Sequence, residues 1–358
     1  MSKPQGGWLS SENGDFAGEM PIFINAGDNL DLNDTNTPSE SLVPYKLLKN
    51  LGHGGSASVE KVEDVHTGRV YARKIFRNVH TRNLTHAKQR LRDEVQIMKR
   101  LAAHHHIVRV HATYIVKREL AIILDPVADG GDLASFLQDF RDAGIGAASW
   151  SFQCHILWKS FGCLASGLAF MHRQTIRHKD IKPQNILIHR GDVMYTDFGL
   201  SYDFGDTGQS TTTGIVQGMT KRYCAPEVAR GASRNSKSDI FSLGCVYIEI
   251  LEALEPGSFS EGILSGPFYE TLDTCATDGN LPQYLGLSRL GRDVLLGQGL
   301  LEERPIDRPS ASQVVQSLQF IDYGSWGLLH FCNRCKKHYE AEVGPFGDYR
   351  QPSICRRI

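Results

Sequence analysis

The stretch "HKDIKPQNIL", His178 to Leu187, places a carboxylate (Asp180), two ammonium groups (Lys179 and Lys182) and an amide (Asn185) directly before an aliphatic run. That pattern describes a polar loop held down by a short strand over Ile186 to Ile188. Twelve residues past Asn185 comes "DFG", Asp197 to Gly199, at the end of another strand-like run, "VMYTDFGL".

Their chemistry is specific. Asp180 can accept or orient the proton of a substrate hydroxyl, and Lys182 can lie against a transferring phosphoryl group. Asn185 and Asp197 can hold magnesium, a hard cation that takes oxygen ligands. Two earlier motifs fit the same chemistry. "LGHGGSASV", Leu51 to Val59, lies between two strand patterns, and Gly52 and Gly54 leave its backbone free to approach a polyphosphate. Ala57 stands where a third glycine is expected, and such a loop taken alone reads rather as a plain hairpin tip. In "VYARKIF", Ala72 and Lys74 point the same way along the pleat. The alanine leaves room for a flat ring such as adenine, and the lysine can reach phosphates. Taken alone it reads as a surface lysine. Inside an apolar strand, Lys74 needs a partner. Glu94, twenty residues on in the helical pattern "THAKQRLRDEVQIMKRLAA", can supply it.

Gly-rich loop, strand lysine, helix glutamate, "HKDIKPQN", "DFG" and "APE" in this order resemble the protein kinase family over residues 45–320. The resemblance implies an α+β, two-lobed fold. A small antiparallel-sheet lobe with one helix spans about 45–126 and a mainly helical lobe about 127–320. It implies ATP and magnesium in the cleft between them, with Lys74, Asp180 and Lys182 catalytic. Leu51, Gly52, Gly54, Val59, Ala72, Glu94 and Leu187 would surround the nucleotide. Leu124 would guard the back of the adenine pocket, and Asp125, Pro126 and Val127 would form a hinge offering backbone hydrogen bonds to adenine. Asp132, also an N-cap candidate for "DLASFLQDF", would reach the ribose. Glu227 would pair with Arg308, and Asp239 would tie down the catalytic loop.

Lys182 two residues after Asp180, with Thr220 before Tyr223, resembles serine/threonine kinases. The implied activity is transfer of phosphate to protein serine or threonine. The competing reading is a catalytically inactive scaffold, against which Lys74, Asp180, Asn185 and Asp197 are all present. Gln184 disfavours a strongly basic substrate preference. Ser210 to Thr213 form a hydroxyl cluster suited to an activating kinase. Lys179 replaces the arginine that often receives such a phosphate and lacks its planar fork, which implies weak dependence on that switch.

Composition sets the remaining bounds. The chain has 358 residues, 41% hydrophobic and 22% charged, with net charge −1. Such a balance gives no field to recruit nucleic acid. No run of about 18 apolar residues suggests a membrane span. Eight cysteines are too sparse for a disulfide scaffold and suit a reducing intracellular compartment, cytoplasmic or nuclear. Residues 1–44 carry seven acidic residues against Lys3 and read as a disordered tail. Residues 321–358 form a cysteine-containing tail. Cys332 and Cys335 have zinc-knuckle spacing, with His338 or Cys355 as further candidates, but a second matching pair is missing and reduced thiols are expected. The run His104 to His106 is expected to be a turn after the helix, without metal.

Overall fold

The computed structural model describes residues 20–34, 42–55, 57–144, 146–205, 220–271, 299–324 and 330–337. Its first half is a six-stranded sheet. In chain order the strands are β1 (Asn29–Asp31), β2 (Tyr45–His53), β3 (Ala57–Asp64), β4 (Val70–Phe76), β5 (Arg109–Val116) and β6 (Glu119–Asp125), and in space they run β1-β5-β6-β4-β3-β2. All pairs are antiparallel except β1 with β5. The His66-Thr67-Gly68 break closes the β3–β4 hairpin, with the Asp64 carboxylate accepting from the His66 N–H at 2.9 Å. Alternation along β4 gives the sheet two working faces. Ala72 and Phe76 pack towards α1 (Leu84–Leu101), whose Leu91, Val95, Met98 and Leu101 are all buried. These are the positions expected from their helical spacing.

The opposite face is also apolar, through Val62, Tyr71, Tyr114 and Ile123, and something must cover it. Ile24 and Leu32 do so, and β1 extends the sheet beside β5. Residues 20–34 therefore depart from the disordered tail expected from composition. Asp31 further anchors them through an ion pair to Lys88 of α1, at 2.5 Å.

The second half is mainly helical. It contains α2 (Leu133–Ala143), α3 (Trp150–Arg173), α4 (Pro226–Ala229), α5 (Lys237–Leu254), α6 (Glu261–Ser265) and α7 (Ala311–Gly324). Asp132 caps α2 as expected, accepting from the Ser135 N–H at 2.9 Å. α5 is buried on nearly every side, in keeping with its all-round hydrophobicity. α3 is long and apolar enough to cross a bilayer by length and composition, but most of it is enclosed by protein. Short strands β7 (Ile176–Arg177), β8 (Ile186–His189), β9 (Asp192–Tyr195) and β10 (Tyr202–Asp203) interrupt the helices, with β8 pairing with β9 and β7 with β10. The turn after β9 brings Asp197 up against Lys74 of β4. α7 continues past the expected boundary at residue 320, and residues 330–337 return to pack on α3.

Candidate active site

The sheet and the helical part enclose a cleft of about 1410 Å³. Every residue singled out for catalysis or nucleotide contact lines it, except Asp125 and Val127. Side chains alternate at the end of β6, so Leu124 and Pro126 face the cleft while their neighbours turn away. Asp125 instead meets Arg109 at 3.5 Å, and Val127 packs on the core. Any hinge contact from these two must use backbone.

Lys74 is the charge centre of the upper wall. Its Nζ lies 2.6 Å from Glu94 Oε1 on α1 and 2.6 Å from Asp197 Oδ1. Burial alone would push the ammonium pKa down, but the two facing carboxylates raise it above the ordinary lysine value. In turn the Lys74 charge holds Asp197 at about 2, so this carboxylate stays ionised. Gly199 packs tightly beside it: a Cβ there would sit 3.3 Å from Glu94 Oε2.

The lower wall is a hydrogen-bonded knot on Asp180. Thr220 Oγ1 donates to Asp180 Oδ1 at 3.0 Å. Lys182 Nζ donates to Asp180 Oδ2 and to Thr220 Oγ1, both at 2.7 Å. Asn185 Nδ2 donates to the Asp180 backbone carbonyl and to Oδ2, both at 2.9 Å. The amide nitrogen of Asn185 is thus committed to Asp180, which leaves its oxygen as the atom it can offer to a ligand.

Two residues of this wall hold left-handed backbone, Lys179 (φ 69) and Asp197 (φ 61), conformations that cost a non-glycine residue about 1–3 kcal/mol and need strong surroundings. Asp239 of α5 supplies them for Lys179. Its carboxylate accepts from the His178 and Lys179 N–H groups at 3.0 and 2.9 Å and faces His172 Nε2 at 2.9 Å. His172 had no signal in the sequence beyond being a helix-end histidine. Farther out, Arg308 grips Glu227 with both terminal nitrogens at 2.8 Å, fully buried, in the pairing expected for "APE".

Lys179 gains cationic neighbours from elsewhere in the chain. It shares a small pocket with Arg177 and Arg234, 57 residues apart in the chain, beside Thr220 and Tyr223. Burial, with the charges of Arg234 and Arg177, lowers its pKa below the ordinary lysine value. Ser210 to Thr213 lie outside the described residues. So do His338 and Cys355, the further zinc candidates. Cys332 and Cys335 are free thiols, and the fold sets them beside His105 and His106, a proximity that neither stretch showed in the sequence.

A family model of the protein kinase domain matches residues 45–320. The chain belongs to the protein kinase family. It is similar to the serine/threonine-protein kinase AtPK1/AtPK6 of Arabidopsis thaliana, 28% identical over 73% of this chain and 51% of that protein. It is similar also to AtPK2/AtPK19 of the same plant, 27% identical over 80% of this chain and 56% of the relative. The serine/threonine-protein kinase cds1 of Schizosaccharomyces pombe is 34% identical over 59% of this chain and 45% of its own length. The chain spans about half the length of these relatives. The kinase fold accounts for the order of the motifs and for their convergence on one cleft.

Proposed function

We propose that this kinase transfers the γ-phosphoryl group of ATP, with magnesium, to serine or threonine hydroxyls of protein substrates. The observation that carries the reading is the Asp180–Lys182–Thr220 triangle, in which one carboxylate is oriented by a hydroxyl and an ammonium group. Asp180 is then placed to orient the substrate hydroxyl and take its proton, and Lys182 to offset charge on the transferring group. Lys74 would hold the nucleotide phosphates, fixed by Glu94. Asn185 and Asp197 fit magnesium: together they offer an amide oxygen and a carboxylate kept ionised by Lys74. Bound there, the ion would neutralise phosphate charge. Gln184 on the cleft wall adds no negative charge to favour basic residues near the target hydroxyl.

We also read Ser210 to Thr213 as the target of an activating kinase. The expectation of weak dependence rested on Lys179 lacking the planar fork of an arginine. With Arg177 and Arg234 beside it, an added phosphate would relieve repulsion among three cations. Replacing all four hydroxyl residues with alanine is expected to lower activity, and unchanged activity would refute this role.

The principal test is incubation of the protein with labelled Mg-ATP and a generic protein substrate, followed by phosphoamino-acid analysis. Label on serine or threonine is expected. Label on tyrosine alone, on a small metabolite alone, or on nothing would refute the reading.

A further inference from the structure

We propose that His105, His106, Cys332 and Cys335 form a structural zinc site that clips the C-terminal segment onto the catalytic domain. The two histidines follow α1, in the turn before β5. The two cysteines lie in residues 330–337, more than two hundred positions later. One ligand atom from each of the four residues falls within 4.8 Å of all the others.

The individual spacings match a shared ion. His105 Nε2 lies 3.3 Å from Cys332 Sγ and 3.6 Å from Cys335 Sγ, and His106 Nε2 lies 3.5 Å from Cys332 Sγ. A tetrahedral ion with Zn–S of about 2.3 Å and Zn–N of about 2.05 Å sets neighbouring N and S about 3.6 Å apart. Ordinary thiol–imidazole hydrogen bonds would pair the groups off, because each thiol has one proton. Here Cys332 Sγ faces two imidazoles and His105 Nε2 faces two sulfurs, and all four donor atoms fall within one coordination sphere's reach of one another.

The surroundings are arranged for ligation. His106 Nδ1 lies 2.6 Å from the Val193 carbonyl oxygen, which can only accept. The ring proton therefore sits on Nδ1, and Nε2 turns its lone pair towards the sulfurs. Cys332 and Cys335 sit at i and i+3 on one helical turn, closed by the Lys336 N–H to the Cys332 carbonyl at 3.1 Å, so both sulfurs leave the same side. Their segment is seated firmly. A Cβ on Gly162 of α3 would come within 2.4 Å of the His330 carbonyl oxygen, so only glycine admits the chain there. The Gly162 N–H donates to that oxygen at 2.9 Å, and the Cys332 N–H donates to Cys163 Sγ at 3.2 Å.

The donor set also selects the ion. Thiolate and imidazole suit zinc and not magnesium or calcium. Two thiolates and two neutral imidazoles around Zn²⁺ sum to zero charge, which suits a site where His106, Cys332 and Cys335 are all buried. Four protein ligands leave no open position, so the role is structural. Because the histidines directly follow the helix that carries Glu94, the ion would tie the end of that helix to α3. The inference rests on this geometry and does not depend on the phosphotransfer reading.

The test is metal analysis of the full chain, purified without chelator or histidine tag. About one zinc per chain is expected, and exchange with cobalt(II) should give the absorption of a tetrahedral thiolate complex. Cys335→Ser and His105→Ala should each lower bound zinc at least about tenfold, whereas Cys154→Ser, elsewhere on α3, should leave it unchanged. Should the ligand variants fail to fold, the wild-type zinc content and cobalt spectrum decide the matter alone. Wild-type protein with little zinc and no cobalt spectrum would overturn the proposal. So would ligand variants that keep their zinc, or a Cys332–Cys335 disulfide found on non-reducing mass mapping.

Discussion

The Lys74 ammonium lies 2.6 Å from Glu94 and 2.6 Å from Asp197, so one cation links the helix of the sheet lobe to the turn after β9 in the helical lobe. Glu94 is almost fully buried, with 2% of its side chain exposed, and Lys74 is its ion-pair partner. Removing one member of such a pair strands the other charge. Lys74→Met is therefore expected to cost about 3–5 kcal/mol of stability as well as activity. Lys74→Met with Glu94→Met should recover much of that stability and none of the activity. Urea unfolding and steady-state phosphorylation check the two halves, and a double variant no more stable than the single one would contradict this account.

Thr220 sits in the triangle with Asp180 and Lys182, and its hydroxyl is both donor and acceptor. Hydrogen bonds to charged groups are worth about 1.5–3 kcal/mol, so Thr220→Ala should lower kcat by about tenfold to a hundredfold. Thr220→Ser keeps the hydroxyl and should restore most of the rate. Equal loss in both variants would mean that the methyl group, not the hydroxyl, matters.

Asp239 gives a pH dependence with a definite sign. Burial alone would raise its pKa, but the bonds from His172 and the Lys179 N–H, with the nearby His178, lower it below the ordinary carboxylate value. A depressed folded pKa contributes stability that is complete above the unfolded value, about 3.9, and is lost as pH falls through the lower folded value. The stability difference between wild type and Asp239→Asn should thus hold steady from neutral pH to about 5 and shrink below about 4. Urea titrations across this range would show it, and a difference that persists undiminished at low pH would count against the assignment.

The segment 20–34 covers one face of the sheet through Ile24 and Leu32 and pairs with the β5 edge. Deleting residues 1–34 should lower the melting temperature and leave an open strand edge prone to association. Calorimetry and light scattering measure both, and a truncated protein that melts like the full chain and stays monomeric would show the segment to be dispensable.

Much of the cleft was legible because each motif is local. Asp180, Lys182 and Asn185 lie within six residues, and the pattern of "VYARKIF" fixes which way Lys74 points. What could not be read is what the chain brings together from far apart. A three-residue strand at Asn29–Asp31 is too short to show a period, and its pairing with Thr113 to Ile115 is set by the need to cover an apolar face. Arg177 and Arg234 join Lys179 only through the fold. The histidine run read as a plain turn and the Cys-x-x-Cys pair lacked a second pair, because each held half of one four-residue cluster. Asp125 and Val127 turn their side chains away from the cleft, which leaves their backbone as what a hinge there can offer.

The central claim is that Asp180 serves protein phosphorylation in this cleft, and Asp180→Asn tests it most directly. The amide preserves the shape and can still bond Thr220, but it cannot take a proton. Measured beside wild type with saturating Mg-ATP and a protein substrate, it should retain the fold and nucleotide binding while losing at least about a hundredfold in kcat. Equal phosphate transfer by the two proteins, or none by wild type, would contradict the account.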